Sequence, residues 1–172
     1  KRQSSVRAPV TTGARTLDVP ITWFPASGPA AALVWLQHGF ARSRRRMAPL
    51  ASSLAAQGLT VLTTGLRTVD PFARTVQNLG DNTGFLDSLA DVLATDLPHA
   101  WAAAGLPGTP PARLLAAGHS AGADAAAYVV GRLAGRHVDL GGALLLDPVK
   151  SVSGSNLADG LRAARRHNLP VR

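Results

Sequence analysis

Along the chain, two apolar patterns take turns: short runs rich in β-branched residues, and longer stretches whose apolar residues recur every three or four positions. "TLDVPITWF" (16–24) alternates apolar and polar residues, which predicts a strand near a sheet edge. "AALVWLQ" (31–37) is apolar almost throughout, the pattern of a strand buried on both faces, and the two strands are expected to pair. "MAPLASSLAAQG" (47–58) has helical composition with Gly58 as its stop, and "LTVLTTG" (59–65) returns to strand, so a βαβ unit is expected here. Between Asn82 and Ala104, residues Phe85, Leu86, Leu89, Val92, Leu93 and Leu97 recur at helical spacing, with Pro98 set to kink or end the helix. A loop rich in Gly and Pro (105–112) leads to a strand at 113–118 and a helix at 121–133. A buried strand at 140–147, a helix at 156–167 and "LPVR" (169–172), the opening of one more strand, complete the pattern.

Strands alternating with helices predict an α/β fold, a mostly parallel sheet with helices on both faces, because each crossover helix must lie on one face. The 172 residues predict one domain spanning 1–172, with no internal repeat, linker or low-complexity tract. With 46% hydrophobic and 16% charged residues, the chain can bury a large core, which excludes disorder over its whole length.

Composition then narrows the chemistry. The formal charge is +8, carried by 16 Arg and 2 Lys against ten Asp and no Glu. The arginines are scattered apart from "RSRRRM" (42–47) and "RAARRH" (162–167), with few aromatics among them for base stacking, so a solvated basic surface is expected and no nucleic-acid partner. No cysteine is present, which excludes disulfides, thiolate metal sites and a cysteine nucleophile. No apolar run reaches the about 20 residues that cross a bilayer. The start, "KRQSSVRAPV", has neither an initiator Met nor an apolar signal core, which predicts a processed N-terminus compatible with secretion.

"GHSAG" (118–122) fits G-x-S-x-G, follows a short apolar strand and opens a helix. In that context the serine occupies a strained strand-to-helix turn, the flanking glycines permit close approach, and N–H groups at the helix start favour a developing oxyanion. Ser120 is the candidate nucleophile. The same residues also fit a Gly-rich turn with Ser120 as a helix N-cap.

From "WLQHGF" through "GHSAG" to "LLLDPV", the chain resembles the α/β-hydrolase family in its serine esterase and lipase branch, with "LLLDPV" similar to chlorophyllase-like and related lipases. The resemblance implies that His38 and Gly39 match the family's histidine-glycine pair after the third strand. It also implies that the backbone N–H groups of Phe40 and Ala121 form the oxyanion hole, and that Asp147 is the acid of the triad. In many relatives the acid follows the next strand instead, and Asp147 before Pro148 also fits a simple turn opener. Asp124 reads as a first-turn partner of the helix dipole, and Asp70 could line the same sheet edge.

The base is missing. In this fold the order is Ser, acid, His, and only His167 follows Asp147. His167, His99 and His137 all follow helices, and helices run back antiparallel to the strands, so these three are expected one strand length, about 17–20 Å, from Ser120. His38 belongs to the oxyanion loop, and His119 is expected to point away from the serine. The chain is therefore expected to be the N-terminal and central part of a longer hydrolase, truncated after the strand ending at Asp147, with its base beyond Arg172 and little activity alone. The competing expectation is a naturally short, catalytically dead relative. The function implied is a serine hydrolase acting on small-molecule or lipid esters through an acyl-enzyme, with no metal or organic cofactor. The alternatives are a noncatalytic interaction protein, or acyl transfer or amide hydrolysis on the same fold.

Overall fold

A computed structural model describes residues 3–12, 15–70, 74–76, 81–152 and 154–172. Six strands form one sheet: β1 (Ser4–Thr12), β2 (Arg15–Phe24), β3 (Ala32–Gln37), β4 (Leu59–Thr64), β5 (Leu114–His119) and β6 (Leu140–Leu146), in the order β1-β2-β4-β3-β5-β6. The four strands from β4 to β6 run parallel, while β2 is antiparallel to both β1 and β4.

The strand at 16–24 does not pair with the strand at 31–37 as its sequence neighbourhood suggests. It pairs with β4, because α1 (Arg44–Ala56) carries the chain from β3 back to a parallel β4 that occupies the intervening place. The β3-α1-β4 crossover is the expected βαβ unit.

The first strand was not foreseen in the pattern. Val6, Ala8 and Val10 alternate with Arg7, Pro9 and Thr11, and Pro9, which cannot donate to a ladder, is tolerated on this outermost strand. The helix α1 starts three residues before Met47, taking in the basic run 44–46 and enclosing Pro49. The long helical stretch divides into α2 (Thr83–Thr95) and α3 (Leu97–Ala103), with Pro98 in the first turn of α3, where a missing N–H leaves no intrahelical bond unmade. The last two helices are α4 (Ala121–Leu133) and α5 (Asn156–Arg166). Val171 bridges to Ala143 in parallel, with Ala143 N–H donating to the Pro170 carbonyl and Arg172 N–H to the Ala143 carbonyl, so "LPVR" does lie along the free side of β6.

Alternation along β3 divides the core. Val34 and Leu36 face α1 with Met47, Ala51, Val61 and Ala117, while Leu33 and Trp35 face the layer of α2, α3 and α4. In that second layer Trp23 and Trp101 meet edge to face, with ring centroids 5.2 Å apart. Helices α4 and α5 cross almost backbone to backbone: a Cβ on Gly131 would lie 2.8 Å from the Gly160 Cα, and one on Gly160 would overlap the Ala127 carbonyl. Among the described residues, no helix is long and apolar enough to cross a membrane.

Candidate active site

Three strand ends converge at the carboxyl edge of the parallel strands. β5 pairs with β3 on one side, with Gly118 opposite Gln37, and with β6 on the other, with His119 opposite Leu146. Ser120 and Asp147 thus follow directly after two adjacent, in-register strand ends, whose backbones run about 4.8 Å apart. Ser120 N–H donates to the Leu146 carbonyl at 3.0 Å, and Val149 N–H returns a bond to the Ser120 carbonyl at 3.3 Å.

Ser120 stands between β5 and the first residue of α4 with φ 57° and ψ −123°, a backbone conformation that side-chain-bearing residues rarely adopt. Its side chain makes no capping hydrogen bond, so the N-cap reading gives no reason for a serine here. Asp147 also has positive φ, 47°, and is exposed.

Both glycines of the pentapeptide have a steric reason. A Cβ on Gly118 would overlap the Gly122 carbonyl, and one on Gly122 would overlap the His38 carbonyl and lie 2.5 Å from that of Gln37. These contacts let the turn close and let the β3 loop pass against the start of α4. Gly39 is the third such position: a Cβ there would lie 2.8 Å from the His119 carbonyl oxygen and 2.9 Å from the Ser120 Cβ. The loop 38–40 therefore runs directly over Ser120, with Phe40 next in the chain and 43% exposed. Ala121, the first residue of α4, is buried beside it.

A buried polar relay that the pattern of the sequence did not reveal supports this loop. Trp35 Nε1–H donates to Thr64 Oγ1 at 2.9 Å, Thr64 donates its hydroxyl proton to Gln37 Oε1, and Gln37 Nε2–H donates to the His38 carbonyl at 3.1 Å. Gln37 is wholly buried, and its amide fixes the direction of the peptide that opens the loop. The one signal available was an amide closing an otherwise apolar run.

The five histidines divide between the two edges. The His167 ring lies beside Gly135, just past the end of α4, and His137 shares a groove with Leu33 and Leu114 at the starts of their strands. His99 is in the first turn of α3, whose Pro98 lines that same groove. All three are thus at the edge opposite Ser120. His119 stands beside this loop, its Nδ1 3.4 Å from where a Gly39 Cβ would lie.

His38 is buried, with Nδ1 2.9 Å from the Gly39 carbonyl. Burial lowers its pKa from the usual 6.5, hydrogen bonding to the Gly39 and Leu66 backbone opposes this, and Arg44 adds to the lowering. The native state then binds fewer protons at this site than the unfolded chain as pH falls below 6.5, so His38 takes stability away on acidification through that window down to its lowered pKa. His38→Asn is expected to show a smaller fall in urea midpoint from pH 7 to pH 5 than the parent. Parallel falls in the two proteins would show that His38 is not linked to folding.

Two further acids have partners of their own, and Asp124 stands in the first turn of α4 as expected. Asp70 has a fully buried side chain gripped by Arg67 at 2.7 Å and Arg74 at 3.0 Å, so it holds its own loop together. Asp124 is buried and accepts from Ser151 N–H at 3.2 Å and from the Ser151 hydroxyl. Burial raises its pKa, while the Ser151 hydroxyl and N–H and the Leu157 backbone oppose the rise. Among the described residues no three acidic or histidine side chains converge as a metal-ligand set.

No protein-family model matches the chain, and no curated protein matches it in sequence. Solved structures do. A cold-adapted esterase from an Arctic intertidal metagenomic library superposes with a TM-score of 0.64 at 22% identity, covering 99% of this chain and 70% of its own. A bacterial heroin esterase gives 0.58 at 20% identity over 85% of this chain and 44% of its own, and an open-form lipase 0.58 at 18% over 83% and 44%. This chain thus spans less than half the length of the lipase and the heroin esterase. At these identities the likeness establishes the architecture: a mixed six-stranded sheet with helices on both faces, the α/β-hydrolase fold.

Proposed function

We propose that this chain carries the nucleophile, acid and oxyanion elements of a serine hydrolase that cleaves carboxylic esters. The observation that carries the reading is Ser120 in a strained strand-to-helix turn with the Gly39 backbone packed against its Cβ. A serine that makes no cap bond has no folding reason to hold φ 57°, and such strain concentrates where a side chain must be presented. The named esterases and lipases among the structural neighbours point to the same substrate class.

In this reading Ser120 Oγ attacks the ester carbonyl as its proton passes to an imidazole. The tetrahedral oxyanion is held by the N–H groups of Phe40 and Ala121, the alcohol leaves with the proton, and water then releases the acid from the acyl-enzyme. Asp147, at the adjacent strand end, orients the imidazole and stabilises its charged form. His99, His137 and His167 are at the wrong edge, His38 is buried with Nδ1 on the Gly39 carbonyl, and His119 is the last residue of β5 with Nδ1 toward Gly39, so the reading takes the base from outside 1–172.

The test is fluorophosphonate labelling of the natural full-length protein and, separately, of the 172-residue chain, with the adduct mapped by peptide mass. The expected result is label on Ser120 in the full-length protein and far slower labelling of the shorter chain. An unlabelled full-length protein that does not hydrolyse p-nitrophenyl esters would replace this reading with a noncatalytic one.

A further inference from the structure

The segment after β6 is exposed at Asp147, Pro148, Val149, Lys150 and Val152, yet Ser151 within it is 4% exposed. Its partner is Asp124, which is 2% exposed among the alanines of α4, one turn after Ser120. Both Ser151 donors, the backbone N–H and the hydroxyl, converge on a single Asp124 oxygen, Oδ2. A carboxylate serving only the helix dipole would do so equally well in solvent, where it would keep its hydration. Here it is buried; the two bonds at Oδ2 come from the loop that leaves Asp147, and the Leu157 backbone at the start of α5 also acts on the carboxylate.

We propose that Asp124 is a positioning residue: it clamps Ser151, and through it the 147–151 segment, so that the Asp147 carboxylate is held in register with Ser120. The inference rests on the reading of Ser120 and Asp147 given above. The clamp completes a three-point attachment. Leu146 is tied to the Ser120 N–H, Val149 to the Ser120 carbonyl, and Ser151 to Asp124, so the segment that starts at Asp147 is fastened to the nucleophile's own turn on both sides of that residue. The attachment answers a need set by the backbone. Asp147 has positive φ in an exposed position, and released from its tethers the chain there would relax and swing the carboxylate.

Because both bonds are accepted by one oxygen, an asparagine presenting its amide oxygen at the same place keeps them, whereas alanine loses both. That difference separates clamping from a requirement for charge. The test measures kcat and KM on a soluble p-nitrophenyl ester with the natural full-length protein, counting functional sites by fluorophosphonate titration so that unfolded molecules drop out.

Asp124→Ala is expected to lower kcat about 100-fold, the scale of an ångström-sized misplacement of a reacting group, with KM changed less than about twofold. Asp124→Asn restores kcat to within about fivefold of the parent, and Ser151→Ala, which keeps the backbone donor, falls between the two. Asp147→Ala lowers kcat by about 10⁴-fold, and the Asp124→Ala/Asp147→Ala double variant is no slower than Asp147→Ala alone. If Asp124→Ala does not fold, Ser151→Ala, alone and combined with Asp147→Ala, carries the same comparison.

Parent kcat in Asp147→Ala would overturn the assignment of Asp147 and with it the clamp. A slow Asp147→Ala slowed a further 100-fold by Asp124→Ala would leave the assignment standing and overturn the clamp alone. So would parent-like kcat per titrated site in both Asp124→Ala and Ser151→Ala.

Discussion

Replacing Ser120 with glycine is expected to give a protein that is more stable than its parent and inert toward esters. The parent residue sits at φ 57° and ψ −123°, where a side-chain-bearing residue is disfavoured by about 1–3 kcal/mol and glycine is not. Glycine carries extra unfolded-state entropy of about 0.4–1 kcal/mol, which offsets part of that relief. No capping bond is lost, since Ser120 makes none. A net gain of about 1 kcal/mol follows, visible as a higher urea midpoint. Ser120→Ala keeps the strain and should match the parent in stability. Both variants should lose on the order of 10⁵–10⁶ in kcat, the scale seen when a serine nucleophile is removed. A less stable Ser120→Gly would mean that the turn is not strained, and an active Ser120→Ala would remove Ser120 from the chemistry.

Gly122→Ala is expected to lower stability and catalysis together. The new Cβ has no flexible neighbour to push aside, because it meets the carbonyls of His38 and Gln37, both main-chain atoms. Overpacking in a core typically costs about 1–3 kcal/mol, and a backbone-to-backbone clash belongs at or above the top of that range. Displacement of the 38–40 loop away from the start of α4 relieves the clash, so survivors should fold with the loop moved and with kcat lowered through a misplaced Phe40 N–H. Thermal melts together with kcat on the natural full-length protein check both effects. A Gly122→Ala protein with parent stability and parent kcat would contradict the close approach.

Much of this arrangement was legible in the residues themselves. The turn at 118–122 could be read because its chemistry is local: strand, Gly, Ser, Gly, helix within a dozen positions. The helix at 121–133 and the break at Pro98 were equally local and fall where expected. What escaped depends on partners distant in the chain. β2 could not be placed against β4 without knowing that α1 would return the chain on that side of β3. The role of Asp124 depends on Ser151, 27 positions away, and that of Gln37 on Thr64, also 27 away. Buried polar pairs carry no periodic signal, so each partner looks like an isolated exception in an apolar run. The β1 strand escaped for a different reason: Pro9 breaks the usual strand composition, and only its outermost position makes it acceptable.

The crossing of α4 and α5 at Gly131 and Gly160 has an uneven mutational response. Alanine scanning reports an interface by removing atoms, and at these two positions there is no side chain to remove. The contact is made by main-chain atoms of the helix that begins just after Ser120, so a truncation survey would record this stretch as silent. A survey that adds atoms would see it at once, because even a methyl at 160 would have to displace the Ala127 carbonyl. Sequence drift at the crossing is therefore confined to one direction: the helix surfaces around it are free to change, while these two points can only stay as small as they are.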